Sequence, residues 1–212
     1  MRVTRLTVGP LSTNCFIVRD DSAGPAVVVD PGGDVERLLS SLDGVPVALA
    51  VLTHGHFDHL GAAGGLVAAT GCRLAMHADD ARQAQDPVAN GSLLFGYEEA
   101  APAPDIILSE GDTVEAGDLR LEVVHMPGHT PGGIGLLGED HLFCGDSVFA
   151  GSVGRTDLPG GDARVLRQTI ERVAALPDET VLHPGHGPDT TVGEERRRNP
   201  FFPRGGEARV PL

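Results

Sequence analysis

The sequence contains no lysine: all 16 basic residues are arginine, and they face 30 acidic residues, for a net charge of −14. Without lysine, no side chain can form a Schiff base or serve as the lysine of a phosphate-binding loop. The negative charge also works against binding to nucleic acid or to an anionic membrane surface, because both need a basic footprint. We therefore expect neither partner.

Cysteine is also scarce and is not arranged in pairs. Cys15, Cys72 and Cys144 are far apart, lie in apolar runs and make no Cys-x-x-Cys motif. This pattern indicates neither a disulfide framework nor a zinc site built from thiolates. Any metal chemistry in this chain must therefore use histidine and carboxylate.

Long apolar runs are missing as well. Nothing approaches 18 consecutive apolar residues, and the N-terminus lacks the apolar core of a signal peptide. We therefore expect no membrane span and a cytoplasmic location. The 212 residues show no internal repeat and no linker, which predicts one domain over residues 1–212.

Short apolar runs bounded by glycine or proline predict strands that are buried on both faces. These runs are Val3–Val8, Asn14–Val18, Ala26–Asp30, Val47–Leu52, Arg73–Met76, Ile106–Leu108, Leu119–Met126, Ile134–Leu137, His141–Cys144 and Thr180–Leu182. Helical patterns lie between them, after an N-cap at Asp34, over Leu60–Thr70, Ala78–Gln85 and Asp162–Leu176, and after a capping box at Thr191–Glu194. The order of elements predicts an α/β protein in which mixed sheets are faced by helices.

The strongest chemical signal is the run Thr53-His54-Gly55-His56-Phe57-Asp58-His59, directly after a predicted strand. Side chains two residues apart point the same way only in an extended segment, and Gly55 permits such a conformation. His54 and His56 can then converge on one metal ion. Asp58 and His59 lie just beyond and can serve a second ion.

Three further motifs place a histidine or a carboxylate where a predicted strand ends. They are Gly128-His129-Thr130, Gly145-Asp146-Ser147 and Gly185-His186-Gly187. In α/β proteins functional groups collect at such strand ends. Each motif alone is compatible with a capped turn or a core histidine, but together with the first motif they indicate a metal site.

The set His-x-His-x-Asp-His, Gly-His-Thr, Gly-Asp and Gly-His resembles the metallo-β-lactamase fold superfamily over the whole chain. The segments Gly151–Asp162, Pro184–Pro188, Asn199–Phe201 and Leu94–Tyr97 resemble the short, single-domain bacterial glyoxalase II (hydroxyacylglutathione hydrolase) type. The resemblance implies a four-layer αββα sandwich of two mixed β-sheets flanked by helices. It also implies two metal ions at the edge of the paired sheets.

Carried over position by position, the resemblance implies that one ion binds His54, His56 and His129 and that Asp146 bridges to the second. The second ion would then bind Asp58, His59 and His186. Five imidazoles and two carboxylates without a thiolate favour Zn²⁺, and Fe and Mn are also compatible.

Two ions that share one water molecule should lower its pKa from about 15.7 to about 7 or less. The resulting bridging hydroxide would attack the carbonyl of a small-molecule thioester, such as S-lactoylglutathione, and release a 2-hydroxy acid and a thiol. Metal charge would hold the oxyanion, so no serine or cysteine nucleophile is needed. A thiol with a pKa near 8.5 is a good leaving group. Asp58 is the residue expected to orient the water.

Other candidates are less constrained. Arg155 could pair with a substrate carboxylate, although an internal pair with Asp157 or Asp162 is the favoured interpretation. Phe95 and Tyr97, in the irregular segment 87–104, could line a pocket for the thiol carrier or could pack on the core. His183 is expected to support the metal ligands rather than to bind metal.

An alternative function is a persulfide dioxygenase, which resembles this fold and shares the segment Gly154-Arg155-Thr156-Asp157. That enzyme would use a single iron, held here by His54, His129 and Asp146.

A non-enzymatic protein is disfavoured because no ligand is lost, and a nuclease because the charge is acidic. β-Lactam hydrolysis is disfavoured because that group fits poorly beyond the ligands. The absence of lysine also weakens the case for glutathione as the thiol carrier.

Overall fold

Two mixed β-sheets form the centre of the protein, of which the computed structural model describes residues 1–21, 24–204 and 207–208. The first sheet has six strands in chain order: β1 (Arg2–Val8), β2 (Thr13–Arg19), β3 (Ala26–Val29), β4 (Val47–Val51), β5 (Arg73–His77) and β6 (Ile106–Leu108). Strands β1 to β3 pair antiparallel, whereas β3 to β6 are parallel. The parallel half requires crossover connections, which the helices provide.

The second sheet is built by the rest of the chain. Its first four strands are β7 (Thr113–Ala116), β8 (Leu119–His125), β9 (Ile134–Gly138) and β10 (His141–Gly145). The strands β13 (Val181–Pro184) and β14 (Thr190–Thr191) complete this sheet. Two short pairs lie outside it, β11 (Val148–Phe149) with β12 (Ser152–Val153) and β15 (Pro203–Arg204) with β16 (Glu207–Ala208). The sheet order is β14-β13-β10-β9-β8-β7, and β13 runs parallel to β10.

Among the described residues, five α-helices cover the outer faces of the sheets: α1 (Val35–Leu42), α2 (Ala63–Thr70), α3 (Ala78–Ala84), α4 (Ala163–Val173) and α5 (Val192–Arg198). Apolar side chains of α1, α2 and α3 pack on the first sheet, and those of α4 and α5 pack on the second. This arrangement confirms the predicted α/β class and the four-layer αββα sandwich.

The layer between the two sheets explains why the strands are apolar along their whole length. Phe16 of β2 and Phe143 of β10 meet there edge to face, with ring centroids 5.2 Å apart. Each central strand therefore buries one face against helices and the other against the second sheet. Burial of both faces gives the continuous apolar runs that identify the strands in the sequence.

Several local predictions were wrong. Strand β7 was not predicted, because Thr113 and Glu115 on its exposed face interrupt the apolar run. Asp34 precedes α1, but its backbone is left-handed (φ 53°) and its carboxylate accepts the Gly9 N–H at 3.1 Å instead of capping the helix. Helix α4 ends at Val173, three residues before the predicted end. Within the described part of the chain, no helix combines the length and apolarity needed to cross a membrane.

Candidate metal centre

The four sequence motifs meet at one edge of the sandwich. His54 follows β4, and His129, Asp146 and His186 follow β8, β10 and β13. Strands β8, β10 and β13 share one direction, since β8 and β10 are both antiparallel to β9 and β13 is parallel to β10. Their carboxyl ends therefore point to the same edge, and side chains distant in sequence come together there.

The first group of side chains consists of His54, His56 and His129. One ring nitrogen from each lies within 4.8 Å of the other two, and all three residues are buried. His56 Nδ1 and His129 Nε2 are 2.9 Å apart. Three imidazole nitrogens at this separation can act as ligands of one divalent ion.

The second group consists of Asp58, His59 and His186, again with one potential ligand atom each within 4.8 Å. Asp58 Oδ2 is 3.1 Å from His186 Nε2 and 3.5 Å from His59 Nε2. The His186 side chain is 29% exposed, whereas those of Asp58 and His59 are buried. The centre is therefore open to solvent on the side of His186.

Asp146 lies between the two groups. Its Oδ1 is 3.4 Å from His59 Nε2, and its Oδ2 is 3.7 Å from His129 Nε2 and 3.6 Å from His186 Nε2. One carboxylate thus contacts histidines of both groups. This is the position that a bridging ligand needs.

Hydrogen bonds set the direction of two of the histidine rings. His129 Nδ1 is 2.8 Å from the Arg155 carbonyl oxygen, and His59 Nδ1 is 2.9 Å from Asp30 Oδ2. Both partners can only accept, so each Nδ1 donates a proton and each Nε2 faces the centre. Carboxylates and carbonyls hold metal-binding histidines in this way.

His54 provides the sharpest test of whether the residues fit a metal. The Thr53 hydroxyl donates to Asp30 at 2.8 Å, so it accepts from His54 Nδ1, 3.0 Å away. His54 Nε2 therefore carries a lone pair, and it is buried without a hydrogen-bond partner among the described residues. A buried, unpaired acceptor is costly unless another group binds it. The donor set fits a divalent metal ion.

Two histidines of the first group, His54 and His56, are neutral at physiological pH. Burial, together with the neighbouring histidines, holds the pKa of His54 well below its ordinary value of 6.5. Burial and His129 lower the pKa of His56 to about 4. Neutral imidazole is the form that binds metal, so His54 and His56 need to lose no proton at pH 7.

The second group is charged when no ion is bound. Burial by itself would lower the pKa of His59, but Asp146, Asp58 and Asp30 reverse this and raise it well above 6.5. Burial would raise the pKa of Asp58, but the charge of His59 and a hydrogen bond from His186 hold it below its ordinary value of 3.8. Protonated histidine and ionised aspartate thus neutralise each other.

Sequence reasoning missed two supporting residues. Asp30, at the end of β3, accepts bonds from the Thr53 N–H at 2.7 Å and from the His59 ring, and Thr13 donates its hydroxyl to Asp58 Oδ2 at 2.8 Å. A carboxylate that ends an apolar strand before Pro-Gly-Gly was a usable signal for Asp30. Thr13 had no such signal, since 45 residues separate it from Asp58.

The candidate substrate residues lie outside the two groups. Phe95 and Tyr97 stack on Phe57, with ring centroids 5.2 and 5.8 Å away, and both are exposed. Tyr97 and Phe57 line a cleft of about 460 Å³ beside the turn that carries Asp58. The Arg155 guanidinium makes two bonds of 2.7 Å to Asp157, the internal pair that the sequence favours.

His183 makes no approach to either group. It stacks on Phe143, and its Nε2 is 2.8 Å from Nδ1 of His141. His183 Nδ1 lies 3.3 Å from Asp189 Oδ1. The ring is therefore part of the packing below the centre, and its role as a support for the metal ligands stays a prediction.

Comparison with known proteins agrees with this geometry. Residues 8–186 match the metallo-beta-lactamase superfamily. Hydroxyacylglutathione hydrolase GloC of Haemophilus influenzae is 35% identical over 209 residues, which cover 95% of this chain and 98% of that protein. This relative is similar in length as well as in sequence.

Solved structures of several kinds are similar. The BLEG-1 B3 metallo-beta-lactamase superposes with a TM-score of 0.90 at 35% identity, covering 95% of this chain and 99% of that one. TTHA1623 in a di-iron-bound form gives 0.82 at 37% identity, over 94% and 100% of the two chains. ETHE1 from Myxococcus xanthus gives 0.76 at 29% identity, over 94% and 84%. The fit to a β-lactamase beyond the ligands is thus closer than the sequence motifs indicated.

Proposed function

The chain belongs to the metallo-β-lactamase superfamily, and we propose that it is a dinuclear metal-dependent thioester hydrolase of the glyoxalase II type. It would cleave an S-2-hydroxyacyl thioester, such as S-lactoylglutathione, to a 2-hydroxy acid and a thiol. The observation that supports this most is the presence of two complete three-residue groups with Asp146 between them. Similarity to a hydroxyacylglutathione hydrolase supports the choice of substrate class.

The two groups define which residues would hold the ions. His54, His56 and His129 would bind one, Asp58, His59 and His186 the other, and Asp146 would contact both. The bound ions would supply Lewis acidity and lower the pKa of a shared water to about 7. Zn²⁺ suits the nitrogen and oxygen donors, and iron suits them as well.

The protein supplies orientation and charge balance. The Thr13 hydroxyl holds one oxygen of Asp58, and the ionised carboxylate of Asp58 can accept a hydrogen bond from the attacking water. The carboxylates of Asp58, Asp146 and Asp30 bring −3 against +4 from two divalent ions. With two ions bound, the centre would be positive by one charge and would favour the negative charge that develops on the carbonyl oxygen of the substrate.

The charge of the cleft beside Phe57 indicates which kind of thiol carrier the substrate has. Its lining includes Asp34 and Glu99, the apolar Val35 and Pro10, and no histidine or arginine. Glutathione carries two carboxylates and one ammonium group, and such a lining disfavours its net negative charge. The cleft therefore favours a thiol carrier without negative charge. We expect S-lactoylglutathione to be a weaker substrate than the same acyl group on an uncharged thiol such as N-acetylcysteamine.

One set of assays tests the proposed function. Zinc-loaded and iron-loaded protein is assayed for metal content, thiol release and oxygen uptake with S-lactoylglutathione, S-lactoyl-N-acetylcysteamine, glutathione persulfide and nitrocefin. We expect two metals per chain and thiol release from a thioester without oxygen consumption. One iron per chain with persulfide-dependent oxygen uptake would establish the dioxygenase alternative. Hydrolysis of nitrocefin alone would establish a β-lactamase.

Variants of the second group are the control for these assays. Asp58→Ala and His186→Ala should each lower the thioesterase rate by several orders of magnitude, because a dinuclear centre needs both ions. Arg120→Ala serves as the comparison, since its side chain is exposed and paired with Glu115 of β7, away from both metal groups. Near-normal rates in both second-group variants would show that one ion is sufficient.

A further inference from the structure

Asp80 is a buried carboxylate that belongs to neither metal group. It lies in the first turn of α3 and is fully shielded from solvent. Its Oδ2 accepts the Gly55 N–H at 2.9 Å, and its Oδ1 accepts the Gly132 N–H at 2.6 Å. Both oxygens of the carboxylate are therefore bound to backbone amides of other segments.

The two amides belong to the two loops that supply the first metal group. Gly55 stands between His54 and His56, in the loop after β4 of the first sheet. Gly132 is three residues after His129, in the turn that leads into β9 of the second sheet. One side chain thus joins a loop of each sheet.

The loops that contain Gly55 and Gly132 pack so closely against α3 that their positions relative to this helix have little freedom. A Cβ added to Gly132 would lie 2.6 Å from the Asp80 backbone nitrogen and 2.7 Å from its Oδ1. A Cβ added to Gly55 would lie 3.1 Å from the Asp80 carbonyl oxygen. Both loops approach α3 as closely as bare backbone allows, which brings their N–H groups to the carboxylate.

We propose that Asp80 is a positioning residue that holds the two loops of the first metal group in the geometry for binding, before any ion arrives. This inference rests on the metal centre of the proposed function and adds a selective role within it. The second group has other supports, because Thr13 binds Asp58 and Asp30 binds His59. Loss of the Asp80 carboxylate should therefore weaken one metal site and spare the other.

The test is a metal titration of Asp80→Asn. Asparagine keeps the shape of the side chain but has one acceptor oxygen, so its NH₂ group must face one of the two backbone N–H groups. Metal-free protein is titrated with Zn²⁺ under competition by a chelator, and with Co²⁺ while the visible absorption of the bound ion is recorded. We expect affinity for the first ion site to fall about 10- to 100-fold, with the second site unchanged.

Asp79→Asn is the matched control. It changes the same charge on the neighbouring residue of the same helix, but the Asp79 side chain is 60% exposed and makes no bond to either loop. Asp79 lies with His77 and His125 in a separate, partly exposed cluster, so the comparison is made at the two buried sites, which the control should fill with the affinity of the unmutated protein. Folded Asp80→Asn protein that also binds two ions with unchanged affinity would overturn the proposal.

A measurement on the unmutated protein decides the question if Asp80→Asn does not fold. Amide hydrogen exchange at Gly55 and Gly132 is followed by NMR before and after removal of metal. If Asp80 holds the loops, both amides stay protected in the metal-free protein. Loss of protection at both on metal removal would show that the ion holds them. Neither readout uses thioester cleavage, so a metal-loaded protein without thioesterase activity would contradict the proposed function alone.

Discussion

At the scale of the residue, His59 of the second metal group differs in protonation from His54 and His56 of the first. His54 and His56 are surrounded by other imidazoles, and burial keeps them neutral. His59 is equally buried, but three carboxylates raise its pKa. The residue type is the same in each case, and the neighbouring charges determine the protonation state.

The raised pKa of His59 predicts how the stability of the metal-free protein depends on pH. The folded state binds a proton at His59 that the unfolded state releases near pH 6.5, so stability falls as pH rises from 6.5 through the raised pKa. We expect the free energy of unfolding of chelator-treated protein, measured in urea, to fall by about 1 kcal/mol per pH unit between pH 6.5 and 8.

Two variants isolate the contribution of His59. His59→Asn should reduce this slope and leave the part due to His186, whose pKa Asp58 and Asp146 also raise, whereas His77→Asn should retain it. The His77 ring nitrogen caps α3 by accepting the Asp79 N–H, and asparagine is also a good N-cap. A slope that is equal in His59→Asn and in the unmutated protein would contradict the assignment.

At the scale of the element, glycines allow the ligand loops to pack against one another. A Cβ on Gly32, in the loop after β3, would lie 1.8 Å from the Asp58 carbonyl oxygen. A Cβ on Gly185, after β13, would lie 2.2 Å from Asp146 Oδ1. At each of these glycines, a neighbouring ligand loop fills the space that a side chain would need. The loops can therefore approach closely enough for their ligands to bind one ion.

Gly32→Ala should therefore displace the turn that carries Asp58 and His59. We expect its affinity for the second metal ion, measured by zinc titration, to fall by at least tenfold, while affinity for the first ion changes less. Gly64→Ala is the control, because its added Cβ would meet nothing closer than the Pro102 side chain at 3.7 Å. Replacing this helical glycine should stabilise the protein by about 0.5–1 kcal/mol. Unchanged binding of both ions by Gly32→Ala would show that the turn adapts.

At the scale of the whole molecule, each metal group joins the two sheets. His54 and His56 follow a strand of the first sheet, and His129 follows a strand of the second. In the second group, Asp58 and His59 lie in the loop after β4 of the first sheet, and His186 follows β13 of the second sheet. The groups exist only when the sheets are packed together, so metal binding and packing of the sheets favour each other.

This coupling predicts that metal removal destabilises the whole fold. Each ion present at about 100 times its Kd should add about 2.7 kcal/mol to the free energy of unfolding. Urea unfolding of chelator-treated and zinc-loaded protein should show this difference for two ions. His186→Ala should retain about half of it, since the first group stays complete. Equal stability with and without zinc would mean that the ions do not hold the sheets together.

The sequence determined most of the strands and the individual ligand motifs, because both depend on patterns within a few residues. The division of the ligands into two metal groups was implied by the resemblance. An apolar run such as Val47–Leu52 predicts a strand that is buried on two faces. The spacing of His54, Gly55 and His56 predicts an extended loop. The αββα layers followed from resemblance, and the structure confirms them. The short polar strand β7 was missed because its pattern resembles that of a loop.

Only the tertiary structure decided which side chains support the metal groups. Thr13 reaches Asp58 across 45 positions of sequence, Asp30 reaches His59 across 29, and Asp80 reaches Gly132 across 52. Asp30 ends an apolar strand before Pro-Gly-Gly, but the sequence neighbourhoods of Thr13 and Asp80 do not distinguish them from other threonines and aspartates in a chain with 30 acidic residues. Each acquires its role because two packed sheets and a crossover helix bring it against a loop from elsewhere. Hydrogen bonds between residues so far apart in sequence depend on the packing of the whole fold, and no local sequence pattern predicts them.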